Sequence, residues 1–254
     1  MLGLDESALA KLIVLMFTKF EKPNIELIKK NPRLIAQYID HTEVNPNSTA
    51  KDIKKLCSEA KKYNFYLVMV LPYYAPLAKK LLGGTKIKIG VVMGFPFGAQ
   101  CTEAKLAEMK KAYPFADEFD FVINRQAFKN KDYGFVLKEL KTLAKAKRGK
   151  IMKVIIESPE LTDKEIYKAS RLVLASGADF VKTAVGLKAG AKINDIKIMK
   201  KVVGDKIRIK ASGGIKDFKT ALAMLAAGAS RLGTSHGVEI IKVGFSNKKT
   251  YFHE

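Results

Sequence analysis

The chain has 254 residues, 48% of them hydrophobic and 28% charged, which suffices for one large buried core and lies close to the ~250 residues of a closed α/β barrel. No apolar run is long enough to cross a bilayer, and the short run Leu12 to Phe17 follows Asp5 and Glu6 rather than a basic leader, so the composition reads as a cytoplasmic protein with no membrane partner. Lysine and arginine outnumber the acids 46 to 25, a formal net charge of +21. The lysines are spread over nearly every helix-like segment without interleaved aromatics, which describes a solvated basic surface, favours phosphorylated small substrates and gives no specific nucleic-acid partner.

In chain order, residues 1–33 carry a helical pattern, Leu9, Leu12, Ile13, Met16, Phe17 and Phe20, broken near Pro23. They belong to no repeat and read as a helical extension that covers the barrel or a subunit interface, in a homo-oligomer such as a dimer or tetramer, with a floppy tail as the alternative. From 34 to 245 short β-branched or apolar runs alternate with longer helical patterns, the signature of βαβ units on a parallel sheet. The strands expected are Leu34–Asp40, Tyr66–Leu71, Ile87–Met93, Glu118–Ile123, Ile151–Ile156, Asp179–Thr183, Lys206–Lys210 and Arg231–Gly233. Thr49 with Asp52, and Thr162 with Glu165, have capping-box spacing and predict helices after the first and fifth strands. Residues 246–254 are polar and read as a tail.

Eight such units fit a single (β/α)8 barrel or an open doubly wound sheet. There is no GxxxxGK[ST], and no GxGxxG follows the first strand, so the nucleotide-binding forms of the open sheet lack support. Glycines concentrate instead after the last two strands, in Ser212 to Ile215 (Ser-Gly-Gly-Ile) and Gly233 to Gly237 (Gly-Thr-Ser-His-Gly), where barrels of this kind bind phosphate. Cys57 and Cys101 form neither a CxxC pair nor a disulfide framework, and His41, His236 and His253 have no HxxxH or HExxH spacing. No metal and no cofactor are expected. Cys101, without a base nearby, is a bystander.

The chemical anomaly is lysine inside strands. Strand alternation places Phe180, Lys182 and Ala184 on one face of the sixth strand, and places Lys210 inward while Ile209 and Ala211 face the helices. Two ammonium groups on adjacent strands disfavour each other's protonation, and desolvation adds to the effect, so one becomes a neutral amine able to form an iminium with a carbonyl substrate. Asp120, bracketed by Phe119 and Phe121, is the carboxylate expected to meet them and to shuttle protons. Asp40 is a second candidate for that network. His41, at opposite parity, is expected to be packed or hydrogen-bonded, Asp117 and Glu118 to be surface charges, and Arg208 to plug the N-terminal end of the barrel.

The segments Ile39 to Thr42, Gly94 to Gly98 with Thr102 to Lys105, Ala116 to Asn124, Phe180 to Thr183, Lys210 to Ile215, Ala221 to Met224, Gly228 with Ala229, and Gly233 to Ser235 resemble the deoxyribose-phosphate aldolase family over residues 34 to 241. The resemblance implies a (β/α)8 class I aldolase in which Lys182 forms a Schiff base, Lys210 and Asp120 transfer protons, and Gly213, Gly214, Thr234 and Ser235 hold the substrate phosphate. Asp40, Thr183, Gly186, Ser212 and Gly233 complete the expected substrate-binding set. The chain departs from the family pattern at Met69 and Leu71, at Ala184 and Val185, and in the shortened loop Leu187 to Gly190. These departures remove hydroxyls near the substrate. They leave two alternatives in place, an aldolase for another phosphosugar and a non-catalytic barrel that binds phosphate ligands or nucleic acid.

Overall fold

The computed structural model describes residues 22–187 and 189–246. Its strands are β1 (Ile39–Glu43), β2 (Leu67–Val70), β3 (Lys88–Met93), β4 (Glu118–Val122), β5 (Ile151–Ile155), β6 (Phe180–Lys182), β7 (Arg208–Ser212) and β8 (Arg231–Thr234). Each pairs in parallel with the next, and β8 returns to β1, closing a barrel in sequence order. Helix α1 (Ile25–Lys30) precedes the barrel. Around it run α2 (Ala50–Tyr63), α3 (Ala75–Leu82), α4 (Thr102–Ala112), α5 (Arg125–Lys129), α6 (Tyr133–Ala146), α7 (Asp163–Ser176), α8 (Ile193–Val203), α9 (Phe218–Ala226) and α10 (Gly237–Ser246). This is the (β/α)8 architecture that the alternating pattern predicts. Among the described residues no helix is long and apolar enough to cross a membrane. The pattern Leu9 to Phe20 and the tail beyond Ser246 lie outside the described residues.

Alternation divides the strand side chains between two environments. Val68, Val91, Phe119, Phe121, Val154, Val181, Ile209 and Leu232 face the helices and form the main hydrophobic core. Leu67, Met69 and Val92 form a separate apolar cluster inside the barrel, on the β2–β3 side only. The remaining strands send ionisable groups inward, and there the site is built.

Both capping boxes form. The Thr49 amide donates to Asp52 Oδ2 at 2.8 Å, and the Thr162 amide donates to Glu165 Oε2 at 2.8 Å while Thr162 Oγ1 accepts from the Glu165 amide at 3.3 Å. Thr162→Ala leaves first-turn donors of α7 without partners, and the expected cost is about 1 kcal/mol, read as a drop of roughly 2–4 °C in the unfolding midpoint.

The first strand lies further along than the sequence suggests. Residues Leu34–Asp40 were expected there, but Pro32–Tyr38 is a 3-10 helix that packs on α1 and α10, and β1 begins at Ile39. Pro32 at its start fixes φ for the turn, and a short apolar run does not by itself distinguish a buried strand from a buried helical turn. The true strand is masked in the sequence by its polar residues Asp40, His41, Thr42 and Glu43. Likewise β7 runs from Arg208 to Ser212 rather than from Lys206 to Lys210, and β6 is trimmed to three residues.

Candidate active site

The register sets Lys182 on β6 against Lys210 on β7, Lys210 against Arg231 on β8, and Asp120 on β4 against Lys153 on β5. All five side chains are buried. Lys182 Nζ and Lys210 Nζ donate to the same oxygen, Asp120 Oδ2, at 2.8 and 2.9 Å, and Lys153 Nζ donates to Asp120 Oδ1 at 2.7 Å. Lys210 Nζ also donates to Asp40 Oδ2, and the other oxygen of Asp40 accepts from Arg231 Nη1 at 2.8 Å. Glu118 Oε2 lies 2.5 Å from Lys153 Nζ and 3.7 Å from Arg231 Nη1. The expectation that Glu118 is a surface charge is therefore corrected: it points inward and is 1% exposed, because it shares the parity of Asp120 two residues on.

Four cationic side chains, Lys153, Lys182, Lys210 and Arg231, thus meet three carboxylates, Asp40, Glu118 and Asp120, in a water-poor space. The surplus positive charge is relieved if one lysine is neutral. Burial pushes the Lys182 ammonium down, Asp120 opposes this, and Lys210 and Lys153 add to the fall, leaving its pKa at about 8. Burial works against charge on Lys153 as well, but Asp120, Glu118 and Asp40 together hold its pKa above the ordinary lysine value. Burial would raise the Asp120 carboxyl, yet Lys153, Lys182 and Lys210 pull it well below the carboxylate range. The least-compensated amine of the set is Lys182, which is also the one that reaches the pocket.

That pocket, of about 460 Å³, opens at the C-terminal end of the strands, the face on which such barrels carry their chemistry. Lys182 forms part of its floor; Asp120, Lys210 and Asp40 lie beneath and do not line it. One wall is the glycine-rich backbone of Ser212, Gly213 and Gly214 with Gly233, Thr234 and Ser235, and Gly186 stands beside it. Close approach forces glycine at particular points. A Cβ on Gly233 would fall 2.3 Å from Ser212 Oγ and 3.0 Å from Lys210 Cε, and one on Gly190 would fall 2.4 Å from the Gly213 carbonyl oxygen. Ser212 Oγ is buried without a hydrogen-bond partner. The opposite wall is apolar, made by Val44, Met69, Val92 and Phe95, so the departures at Met69 and Val185 fall directly on the pocket.

Two of the expected residues do other work. Thr183 does not line the pocket: its hydroxyl donates to the Ser212 carbonyl and accepts from the Ser212 amide at 2.9 Å, tying β6 to β7. Thr234 lines it, but its hydroxyl donates to the Ile215 carbonyl at 2.6 Å and accepts from the His236 amide, leaving its backbone for a ligand. His41 bonds Glu59 at 2.9 Å and packs on Phe65, with ring centroids 4.6 Å apart. Arg208 lies beneath Lys210, its guanidinium 4.2 Å from the Phe180 ring centre, on the N-terminal side. Cys101 is exposed before α4.

Sequence reasoning missed Lys153, Arg231 and Glu118. Lys153 sits inside an otherwise apolar strand, Ile151 to Ile155, the same signal that singles out Lys182. Behind β4, Lys105 is fully buried and donates to Glu139 Oε2 at 2.9 Å and to the Val122 carbonyl at 3.3 Å, so α4 and α6 brace the strand that carries Asp120.

A family model described as DeoC/LacD family aldolase matches residues 34–243. The chain belongs to this aldolase family. It is 50% identical over 212 residues to the deoxyribose-phosphate aldolase of Caldicellulosiruptor saccharolyticus, covering 82% of this chain and 96% of that one. The enzyme of the same name from Aciduliprofundum boonei is 49% identical over 214 residues, covering 83% and 96%. Among solved structures, the tetrameric deoxyribose phosphate aldolase of Aeropyrum pernix superposes with a TM-score of 0.78 at 29% identity, over 88% of this chain and 98% of that one.

Proposed function

We propose that this family aldolase reversibly cleaves 2-deoxy-D-ribose 5-phosphate to acetaldehyde and D-glyceraldehyde 3-phosphate through a Schiff base on Lys182. The observation that carries the proposal is the convergence of Lys182 and Lys210 on one oxygen of Asp120, with only Lys182 exposed to the pocket. Neutral Lys182 attacks C1 of the open-chain sugar, and the carbinolamine hydroxyl leaves as water with a proton from Lys210, giving the protonated imine and a neutral Lys210. The Asp120 and Lys210 pair takes up the C3 hydroxyl proton, directly or through water, and the C2–C3 bond breaks. Its electron pair moves into the iminium to leave an enamine, and glyceraldehyde 3-phosphate departs. Reprotonation at C2 and hydrolysis release acetaldehyde and restore the amine. Asp120 is too weak a base to keep the proton, and its carboxylate serves to pass it between amines. The imine is itself the electron sink, so the chemistry calls for neither metal nor cofactor.

Backbone amides of Gly186, Gly213, Gly214 and Ser235, with the unengaged Ser212 hydroxyl, are suited to the 5-phosphate. The Gly233 to Gly237 turn runs into the first turn of α10, adding the positive end of a helix dipole. A homo-oligomer acting in the cytoplasm is the assembly we expect, in keeping with the tetramer named for the Aeropyrum pernix relative.

The test is reductive trapping. Sodium borohydride with deoxyribose 5-phosphate should fix the carbon skeleton to Lys182, located by peptide mass spectrometry. The trapping rate should climb as pH rises through about 8, since the neutral, attacking fraction of Lys182 grows in that direction. Equal labelling of a Lys182→Met protein would refute the assignment.

A further inference from the structure

We propose that Glu157 is a positioning residue for the phosphate-binding wall, holding the loop after Lys182 from outside the pocket. This rests on the aldolase reading above and names a residue that the mechanism does not use. Glu157 follows β5 and is 3% exposed. Its Oε2 accepts the Val185 amide at 2.8 Å, a bond between a carboxylate and a backbone N–H that is stronger than its neutral counterpart. The backbone at Glu157 is left-handed, with φ +56°, a region that a residue with a long side chain occupies at a cost in strain, and such strain collects at functional sites. No similar carboxylate in the fold is both buried and carried on a left-handed residue among those described.

The geometry fixes what this contact controls. Gly186 and Leu187 line one side of the pocket, and backbone meets backbone where Gly186 and Gly190 cross Gly213 and Gly214. Glycines have no side chains to hold such a crossing. At its far end the loop is tied by the Ala191 amide, which donates to the Gly213 carbonyl at 3.1 Å; at its near end it is tied by Glu157. Lys182 is held by backbone bonds of its own, although its charge also acts on the Glu157 carboxyl. The Thr183 amide donates to the Lys210 carbonyl at 3.1 Å, the Ser158 amide donates to the Thr183 carbonyl at 2.8 Å, and the Thr183 hydroxyl bridges to Ser212. Loss of the Glu157 contact therefore frees the phosphate wall and leaves the amine in place.

The experiment compares Glu157→Ala, Glu157→Asp and Glu157→Gln with the parent chain. Glutamine keeps an oxygen at the same reach, whereas aspartate keeps the charge but falls one methylene short, so each separates reach from charge even if the alanine protein does not fold. With deoxyribose 5-phosphate, the aspartate and alanine proteins should show KM raised by tenfold or more with kcat held within about threefold, and glutamine should restore KM. With unphosphorylated 2-deoxyribose, kcat/KM should be the same in all four proteins. A fall in kcat with unchanged KM, or equal losses on both sugars, would overturn the assignment. Isothermal titration with inorganic phosphate gives a readout free of turnover: weaker phosphate binding in the aspartate protein supports the positioning role even if the parent proves to have another sugar substrate, and unchanged binding overturns it.

Discussion

A Lys182→Met protein should fold normally and lose carbon–carbon cleavage by on the order of 10⁴-fold or more in kcat, because the covalent route disappears and only substrate binding remains. Methionine nearly matches the length of the lysine stem and fills the same buried volume. Its removal of one positive charge leaves Lys153, Lys210 and Arg231 against Asp40, Glu118 and Asp120, a balanced set, so the unfolding midpoint should stay level or rise. Stopped assays with deoxyribose 5-phosphate and thermal unfolding, made on the same preparation, check both halves. A variant that unfolds early would mean that Lys182 is chiefly structural, and one that still turns over at a rate near the parent's would move the nucleophile elsewhere.

Asp120→Asn should damage stability and turnover together. Three ammonium groups donate to that carboxylate, and a neutral amide leaves them facing one another in a buried space. Breaking a buried ion pair from one side costs roughly 3–5 kcal/mol, which for a chain of this size is about 6–20 °C in the midpoint. Loss of the proton relay should lower kcat by about 10²- to 10⁴-fold. The informative readout is trapping. Asp120 is the group that holds the Lys182 pKa up, so the variant's amine should be neutral at lower pH, and borohydride should still label Lys182 in a protein that barely turns over. If labelling disappears along with turnover, the carboxylate is required for imine formation and not merely for the proton transfers that follow.

What the sequence makes legible follows from how much each residue costs to bury. Alternation of apolar runs and capping boxes marks the eight-unit barrel, because burying an amphipathic helix against a strand needs that spacing. A lysine within a strand is rare enough to stand out, so Lys182 and Lys210 are visible, and Asp120 between two phenylalanines is visible for the same reason. Glu118 is not, because an acid at a strand's first residue looks the same whether it faces solvent or the lumen, and only the register of β4 decides. Arg231 escapes because β8 has few residues to define its parity. The start of β1 is hidden by its own polar residues: Asp40 and Thr42 turn into the barrel, and the apolar stretch that imitates a strand, Leu34 to Ala36, packs beneath a helix instead.

The bonds from Arg231 and Lys210 to Asp40 join the last two staves of the ring to the first. Their partners stand 191 and 170 positions apart along the chain, so they form only when the whole circle has come together. Until then Lys182, the proposed nucleophile, has neither its shelter nor its neighbours and remains an ordinary protonated side chain. On the proposed mechanism, the lowered pKa of Lys182 is therefore a property of the closed ring and not of the residue alone.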